Sequence, residues 1–154
     1  ALLSYTVDAA FLEGVPLPAL APGLAAIAAV AGLRAGLLWL QETLAPAFTA
    51  KAADHAVLAR AAWPVLAQPG ADRVLALFFE ANGLAAAGRE PFRTVVPQLV
   101  EAWVTWAAEL VEGTPARRRA EAEAAIALLD GLLLLRQLAG AEAAARAARR
   151  LGVR

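Results

Sequence analysis

The chain has 154 residues, a formal net charge of zero and no cysteine. Its length fits one domain, and its neutral balance excludes a general electrostatic attraction to nucleic acid. The lack of cysteine excludes disulfides, thiolate metal sites and cysteine nucleophiles. Apolar residues make up 60% of the chain and are mainly Ala and Leu, with few aromatic or β-branched residues. This balance favours helix over strand, so we expect an all-α protein.

The N-terminal part of the chain has the layout of a helix-turn-helix. Its apolar spacing predicts a first helix over Leu2–Glu13, followed by a proline-rich loop over Val15–Gly23. Two short helices follow, Leu24–Ala31 and Arg34–Leu40, and Gly32 supplies the turn between them.

The uncharged stretch Gly14–Leu33 has the length of a transmembrane helix. Pro16, Pro18 and Pro22 interrupt its first half and Arg34 follows it directly, so a short buried helix after a loop is favoured. The N-terminus also lacks the basic segment of a signal peptide. We therefore expect a cytoplasmic protein with no membrane partner.

The chain is expected to divide into an N-terminal head, residues 1–45, and a second helical unit, residues 46–154. Proline and glycine mark the helix ends in the second unit, and no segment shows the alternation of a strand. The predicted helices are Lys51–Gln68 (with a kink or end near Trp63 and Pro64), Ala71–Gly88, Pro91–Glu112, Ala116–Leu138 and Ala141–Leu151.

The helix Ala116–Leu138 is apolar at every position from Ala124 to Leu135 except Asp130. A helix that is apolar all round must be covered on more than one side, and a chain of this length has little protein left for the second side. We therefore expect a homodimer, in which Gly131 lets the partner backbone approach closely. The expected interface residues are Leu128, Gly131, Leu132, Leu135, Ala144 and Ala148.

Asp130 is the anomaly in this helix, because a carboxylate among apolar side chains must be paired, hydrogen-bonded or protonated. A structural partner, such as an arginine or a helix N-terminus, is the favoured interpretation. A polar contact to a ligand is the second.

Aromatic residues of two other helices outline a candidate ligand cavity. Trp103 and Trp106 share one narrow apolar arc of their helix, which fits either a packed core or the wall of a cavity. Asn82 projects from the inner face that also carries Phe78, and a buried amide needs a hydrogen-bond partner from a neighbouring helix or from a ligand. The candidate ligand-binding residues are Phe78, Asn82, Trp103 and Trp106.

The sequence offers no positive evidence for catalysis, a metal or a cofactor. His55 is the only histidine and lacks a carboxylate at i+4, so it does not predict a metal site. Ser4, the only serine, has no context for a hydrolase triad. The run Arg117-Arg118-Arg119 is interpreted as a solvated charged turn rather than a nucleic-acid patch.

A family pattern lies in the N-terminal part, in Ile27-Ala28, Ala31-Gly32-Leu33 and Gly36-Leu37-Leu38-Trp39. These residues resemble the I-A-x-x-A-G-V-S-x-G-x-L-Y pattern of the TetR (tetracycline-repressor-like) transcriptional regulators, and Phe11 and Gly14 resemble the F-x-x-G relation that precedes it. The family consists of all-helical homodimers with an N-terminal helix-turn-helix and a C-terminal ligand-binding domain. The resemblance extends in helix order over most of the chain.

The resemblance implies a ligand-responsive repressor that binds operator DNA as a homodimer and is released by a small apolar effector. The DNA-contacting positions that it implies are Arg34, Trp39 and Gln41. Residues 1–50 depart from the family in charge, since Arg34 is their only base against three acids, whereas phosphate contacts use Lys and Arg. A helical ligand-binding or scaffold dimer that does not bind DNA is the alternative.

Overall fold

A computed structural model describes the backbone of residues 17–153 and the side chains from residue 24 onwards. Over this range the chain forms six α-helices and two short 3-10 turns, which confirms the all-α class. The predicted helix Leu2–Glu13, with Ser4, lies outside the described residues. The helices are α1 (Leu17–Leu44), α2 (His55–Leu66), α3 (Asp72–Ala86), α4 (Phe92–Glu109), α5 (Pro115–Ala139) and α6 (Ala141–Arg150).

The helix α1 is continuous, so the predicted turn at Gly32 is wrong, and so is the predicted loop from Leu17 onwards. A glycine inside a helix costs only about 1 kcal/mol relative to alanine, and the surrounding Ala and Leu residues outweigh that cost. Pro18 lies in the first turn, where a missing N–H group has no helical partner in any case. The described residues therefore contain no helix-turn-helix at this position.

The other helices begin and end within a few residues of the predicted positions. Asp54 caps α2 by accepting a hydrogen bond of 2.9 Å from the Val57 backbone N–H, and Pro64 lies within the last turn of that helix. The helix α5 ends at Gly140, whose φ of 89° lies in the region that favours glycine. These local signals fix helix ends because they act on the unpaired backbone groups there.

No strand forms in residues 17–153 apart from one isolated bridge between Ala52 and Val111. The Ala52 N–H donates to the Leu110 carbonyl at 2.7 Å, and the Glu112 N–H donates to the Ala52 carbonyl at 2.9 Å. The bridge fastens the segment before α2 to the end of α4. Both Ala52 and Val111 are buried.

The apolar helix α5 lies at the centre of the fold and packs against α2, α4 and α6 of the same chain. Leu132, Ala144 and Ala148 are fully covered inside this chain, so their assignment to a dimer interface is wrong. The physical reason is that the turn at Gly140 folds α6 back onto α5, and the alanine face of α6 covers α5 from within. Leu128 and Leu135 stay partly exposed.

One stripe of α5 is left uncovered by the described part of the chain, residues 24–153. Leu134 is 41% exposed and Leu138 is 79% exposed, and a Cβ built on the exposed Gly131 would meet nothing within 4 Å. At 3.6 residues per turn these residues lie on one face of the helix with two exposed alanines. The stripe consists of Ala124, Ala127, Gly131, Leu134 and Leu138.

Candidate functional site

An apolar cavity of about 110 Å³ lies between α1, α3, α4 and α5. Of the sixteen lining residues within 24–153, fifteen are apolar or glycine, and Asp130 is the exception. The lining residues are Gly32, Leu33, Leu37, Leu40, Leu66, Val74, Leu75, Leu77, Phe78, Leu99, Val100, Trp103, Ile126, Leu129, Asp130 and Leu133.

The wall from α1 depends on a close approach between two helices. A Cβ on Gly36 would lie 2.8 Å from Cγ1 of Val74, which is itself a lining residue on α3. Since a valine side chain is stiff at χ1, only glycine permits this separation without a shift. Gly36 therefore sets the distance between α1 and α3 beside the cavity.

The mouth of the cavity is marked by lining residues that also reach the surface. Leu77 is 56% exposed and Val100 is 37% exposed, and Gly32 is exposed as well. These residues come from α3, α4 and α1, so the opening lies where the three helices diverge. A small apolar molecule has a route from solvent into the cavity.

Two of the four predicted ligand-binding residues line the cavity and two do not. Phe78 and Trp103 are lining residues, whereas Asn82 and Trp106 are absent from the wall. The Trp106 ring packs edge-on against two other aromatic rings, with its centroid 5.2 Å from that of Trp103 and 6.2 Å from that of Phe48. Trp106 thus belongs to the aromatic core, because Phe48 from the segment after α1 covers it.

Asn82 is half-buried, and its Oδ1 atom is buried without a hydrogen-bond partner in the described part of the chain. The predicted bond to a carbonyl of a neighbouring helix would be donated by the side-chain NH2 group of Asn82. Such a bond would leave Oδ1 without a hydrogen-bond donor. Its position off the cavity wall removes it from the candidate ligand contacts.

Sequence reasoning missed the wall contributed by α1, namely Leu33, Leu37 and Leu40. Their spacing continues a heptad pattern of apolar residues that begins at Val30 and ends at Leu44. An unbroken heptad across Gly32 is the signal that indicates both a continuous helix and an inward face. The assignment of these residues to a separate head obscured it.

The structural partner predicted for Asp130, an arginine or a helix N-terminus, is absent among the described residues. Within residues 24–153 no arginine and no helix N-terminus bonds its carboxylate, and Arg136, on the same helix, is paired with Asp72 instead. Burial in the apolar cavity raises the pKa of Asp130 to about 6. Among the residues that the structure describes, Asp130 is therefore the one ionisable group in the cavity wall.

The other polar candidates are engaged on the surface of the bundle. His55 Nδ1 lies 2.7 Å from Glu121 Oε2, Arg117 donates to the Ala53 carbonyl at 3.1 Å, and Arg119 donates to both carboxylate oxygens of Glu101. The described residues contain no group of three or more potential metal ligands. Arg117 and Arg119 are thus tied into the fold, whereas Arg118 Nε is buried without a hydrogen-bond partner in the described part of the chain.

The three candidate DNA contacts all lie on the uninterrupted α1. Arg34 and Trp39 are exposed and Gln41 is half-buried. At 100° per residue, Arg34 and Gln41 share one side of the helix, whereas Trp39 is rotated by about 140° from Arg34. Arg34 also lines a shallow groove between α1 and α4 with Gln98.

The stretch Leu24–Ala47 is the one part of the described chain that is long and apolar enough to cross a membrane, and an 18-residue window within it is only 6% buried. Length and composition alone carry little weight here, since core helices and N-terminal signal sequences share these properties.

Comparison of the chain with protein-family models, with curated proteins and with solved structures finds no match.

Proposed function

We propose that this chain senses a small, mainly apolar molecule, which binds in the cavity between α1, α3, α4 and α5. The observation that carries the proposal is the composition of that cavity: an apolar wall, one polar group and an exposed mouth, as is usual for small-molecule sites. Phe78 and Trp103 supply aromatic surface to the ligand.

The proposed output is regulation of transcription, as in the TetR-like regulators that the chain resembles. Gly32, Leu33 and Leu37 both line the cavity and belong to the family-like pattern, so a ligand there would contact the helix that carries Arg34 and Trp39. A ligand shifts such an equilibrium only by its different affinity for the two states. Operator DNA would be bound by one state of α1 and released from the other.

The proposed assembly is a homodimer through the exposed stripe of α5. If two copies cross antiparallel at Gly131, the small half (Ala124 and Ala127) of one copy faces the large half (Leu134 and Leu138) of the other. The stripe is therefore complementary to itself in size. Glycine at the crossing point allows the two backbones a close approach.

A second candidate function is a ligand-binding dimer that never contacts DNA. The continuity of α1 through Gly32 favours it, because a recognition helix set off by a turn is absent from the described residues. The acidic balance of residues 1–50 favours it as well.

Ligand binding is tested by tryptophan fluorescence in a Trp39→Phe background, which removes the exposed indole and leaves Trp63, Trp103 and Trp106. Of these three, Trp103 lines the cavity. We expect a saturable change when ring-sized apolar compounds are added. Phe78→Leu should weaken binding, whereas Phe92→Leu, at a half-buried phenylalanine off the cavity wall, is the matched control. If the two variants bind the compounds with equal affinity, or if no compound changes the spectrum, the cavity is not a ligand site and its residues belong to the hydrophobic core.

DNA binding is tested by gel shift with genomic fragments that flank the gene, at low and at high salt. If the chain is a transcriptional regulator, we expect it to shift the DNA band, and we expect high salt to weaken that shift. Arg34→Ala should reduce the shift, and the ligand should reverse it. The absence of any salt-sensitive shift, together with ligand binding, establishes the second candidate instead.

A further inference from the structure

We infer that the ligand of the cavity is an amphipathic cation, an apolar body that carries one ammonium group, and that Asp130 binds this group. The inference rests on the proposed function, since it uses the same cavity and adds the chemical class of the molecule inside.

The first argument is the unbalanced charge of the Asp130 carboxylate. Asp130 is half-buried, and a carboxylate that is partly removed from water is costly unless it is paired. Among residues 24–153 the wall offers no partner, because the other lining residues include no ionisable group. Arg136 is held by Asp72, and Arg34 lines the neighbouring groove. A cation brought by the ligand is the missing partner.

The second argument is the aromatic surface in the same wall. Phe78 and Trp103 both line the cavity, and the faces of aromatic rings attract ammonium groups, tryptophan most strongly. A carboxylate with two aromatic rings and an otherwise apolar wall is the combination that recognises an organic cation. The same wall disfavours an anion, which Asp130 would repel, and a polyol, which would leave most of its hydroxyl groups unpaired.

The third argument is size. The cavity volume of about 110 Å³ is close to that of dry protein cavities that hold one benzene ring. The exposed mouth at Leu77 and Val100 allows a longer chain to extend into solvent. The ligand is thus expected to place one ring or a short aliphatic segment inside.

The experiment compares three compounds with the same ring and different charge: benzylamine, benzyl alcohol and benzoate. Affinities are measured by calorimetry and by tryptophan fluorescence on the full chain, at a pH above the pKa of the Asp130 carboxyl. We expect benzylamine to bind at least about tenfold more tightly than benzyl alcohol, and benzoate to bind most weakly. A tenfold difference corresponds to about 1.4 kcal/mol.

Two variants make the test specific to the carboxylate. Asp130→Asn keeps the shape of the side chain and should abolish the preference for benzylamine while benzyl alcohol still binds. Asp130→Glu keeps the charge and should retain part of the preference. Because the readout is the ratio of two affinities within one variant, a general loss of stability does not imitate the effect.

The outcomes separate this inference from the proposed function. Equal binding of the three compounds, or a preference that survives Asp130→Asn, overturns the cation and leaves the apolar cavity standing. Failure of all three compounds to bind overturns the cavity as a ligand site and the inference with it. A preference for benzylamine that also weakens as the pH falls through about 6 supports the assignment, because protonation then neutralises Asp130.

Discussion

Asp72 and Arg136 form a two-pronged ion pair that joins the first residue of α3 to the last turn of α5. Arg136 Nε lies 2.8 Å from Asp72 Oδ1, and Arg136 Nη2 lies 3.0 Å from Asp72 Oδ2. The arginine side chain of the pair is 12% exposed and the aspartate side chain is 37% exposed. Each charge also has the sign that its helix terminus favours.

We expect Asp72→Asn to lower the free energy of unfolding by about 1 kcal/mol at neutral pH, since the pair is bidentate but its carboxylate is screened by solvent. Hydrogen bonding from Arg136 lowers the pKa of Asp72 below its ordinary value. The contribution is therefore present above the unfolded pKa of 3.8 and is lost as the pH falls through the lower, folded value. Urea denaturation at neutral and acid pH measures it.

The matched control for this variant is Glu90→Gln, which removes a pair between Glu90 and Arg93 within four residues of sequence. Both of its side chains are more than half exposed, so we expect a smaller effect than for Asp72→Asn. Equal effects of the two variants would show that the pair between α3 and α5 adds nothing beyond a local surface contact.

The opposite pH dependence is expected of Asp130. The pKa of Asp130 in the folded protein is about 6, above its ordinary value of 3.8. Its contribution to the free energy of unfolding is therefore fully present below the unfolded pKa and is lost as the pH rises through about 6. Asp130→Asn should therefore raise the free energy of unfolding of the ligand-free protein at pH 7, by about 1–2 kcal/mol. Its stability should also vary less between about pH 4 and about pH 7 than that of the unaltered chain.

Two glycines of α1 give a contrasting pair of stability predictions. Gly32→Ala meets nothing within 4 Å and should stabilise the protein by about 0.5–1 kcal/mol through helix propensity. Gly36→Ala gains the same propensity but collides with Val74, so a net loss of about 1 kcal/mol is expected. Thermal unfolding followed by circular dichroism measures both, and the reverse order would contradict the close packing of α1 on α3.

The proposed homodimer is tested on the exposed stripe of α5. Leu138 is 79% exposed, so Leu138→Lys should leave the stability of a single chain nearly unchanged and should shift the molar mass in light scattering from dimer towards monomer. Leu151→Lys is the control, because Leu151 is also exposed, at 56%, but lies beyond the stripe. A dimer that survives Leu138→Lys, or a chain that is monomeric before any substitution, excludes this face. A protein that stays in solution only with detergent would instead point to the apolar stretch of α1.

Most of the helical framework follows from local chemistry, because Pro46, Pro69, Gly113 and Gly140 act on the backbone wherever they occur. The error at Gly32 has the same origin: a glycine that ends one helix is tolerated inside another, and the choice depends on the apolar residues that α1 packs against α2, α3 and α4. Local sequence contains no measure of that packing.

Residues of the candidate site were predictable where the apolar face of a single helix determines that they point inward. They were not predictable where their surroundings depend on how separate segments pack together. Phe78 and Trp103 lie on apolar arcs that must face inward, and they line the cavity. Trp106 lies on the same arc, yet Phe48 covers it, and this contact depends on the path of the segment after α1. The same holds for Ala144 and Ala148, since an alanine face does not reveal whether it covers its own chain or a second one.

The continuity of α1 has a mechanical consequence. The helix is anchored at its C-terminal end by the buried Leu40 and Leu44, and the cavity touches it from Gly32 to Leu40, within a few turns of that anchor. The backbone from Leu40 back to Leu17 spans about 35 Å at 1.5 Å per residue. A tilt of about 5° at the cavity would therefore move the far end of the helix by about 3 Å, so that a small displacement beside the cavity becomes a larger one at the N-terminal end of α1.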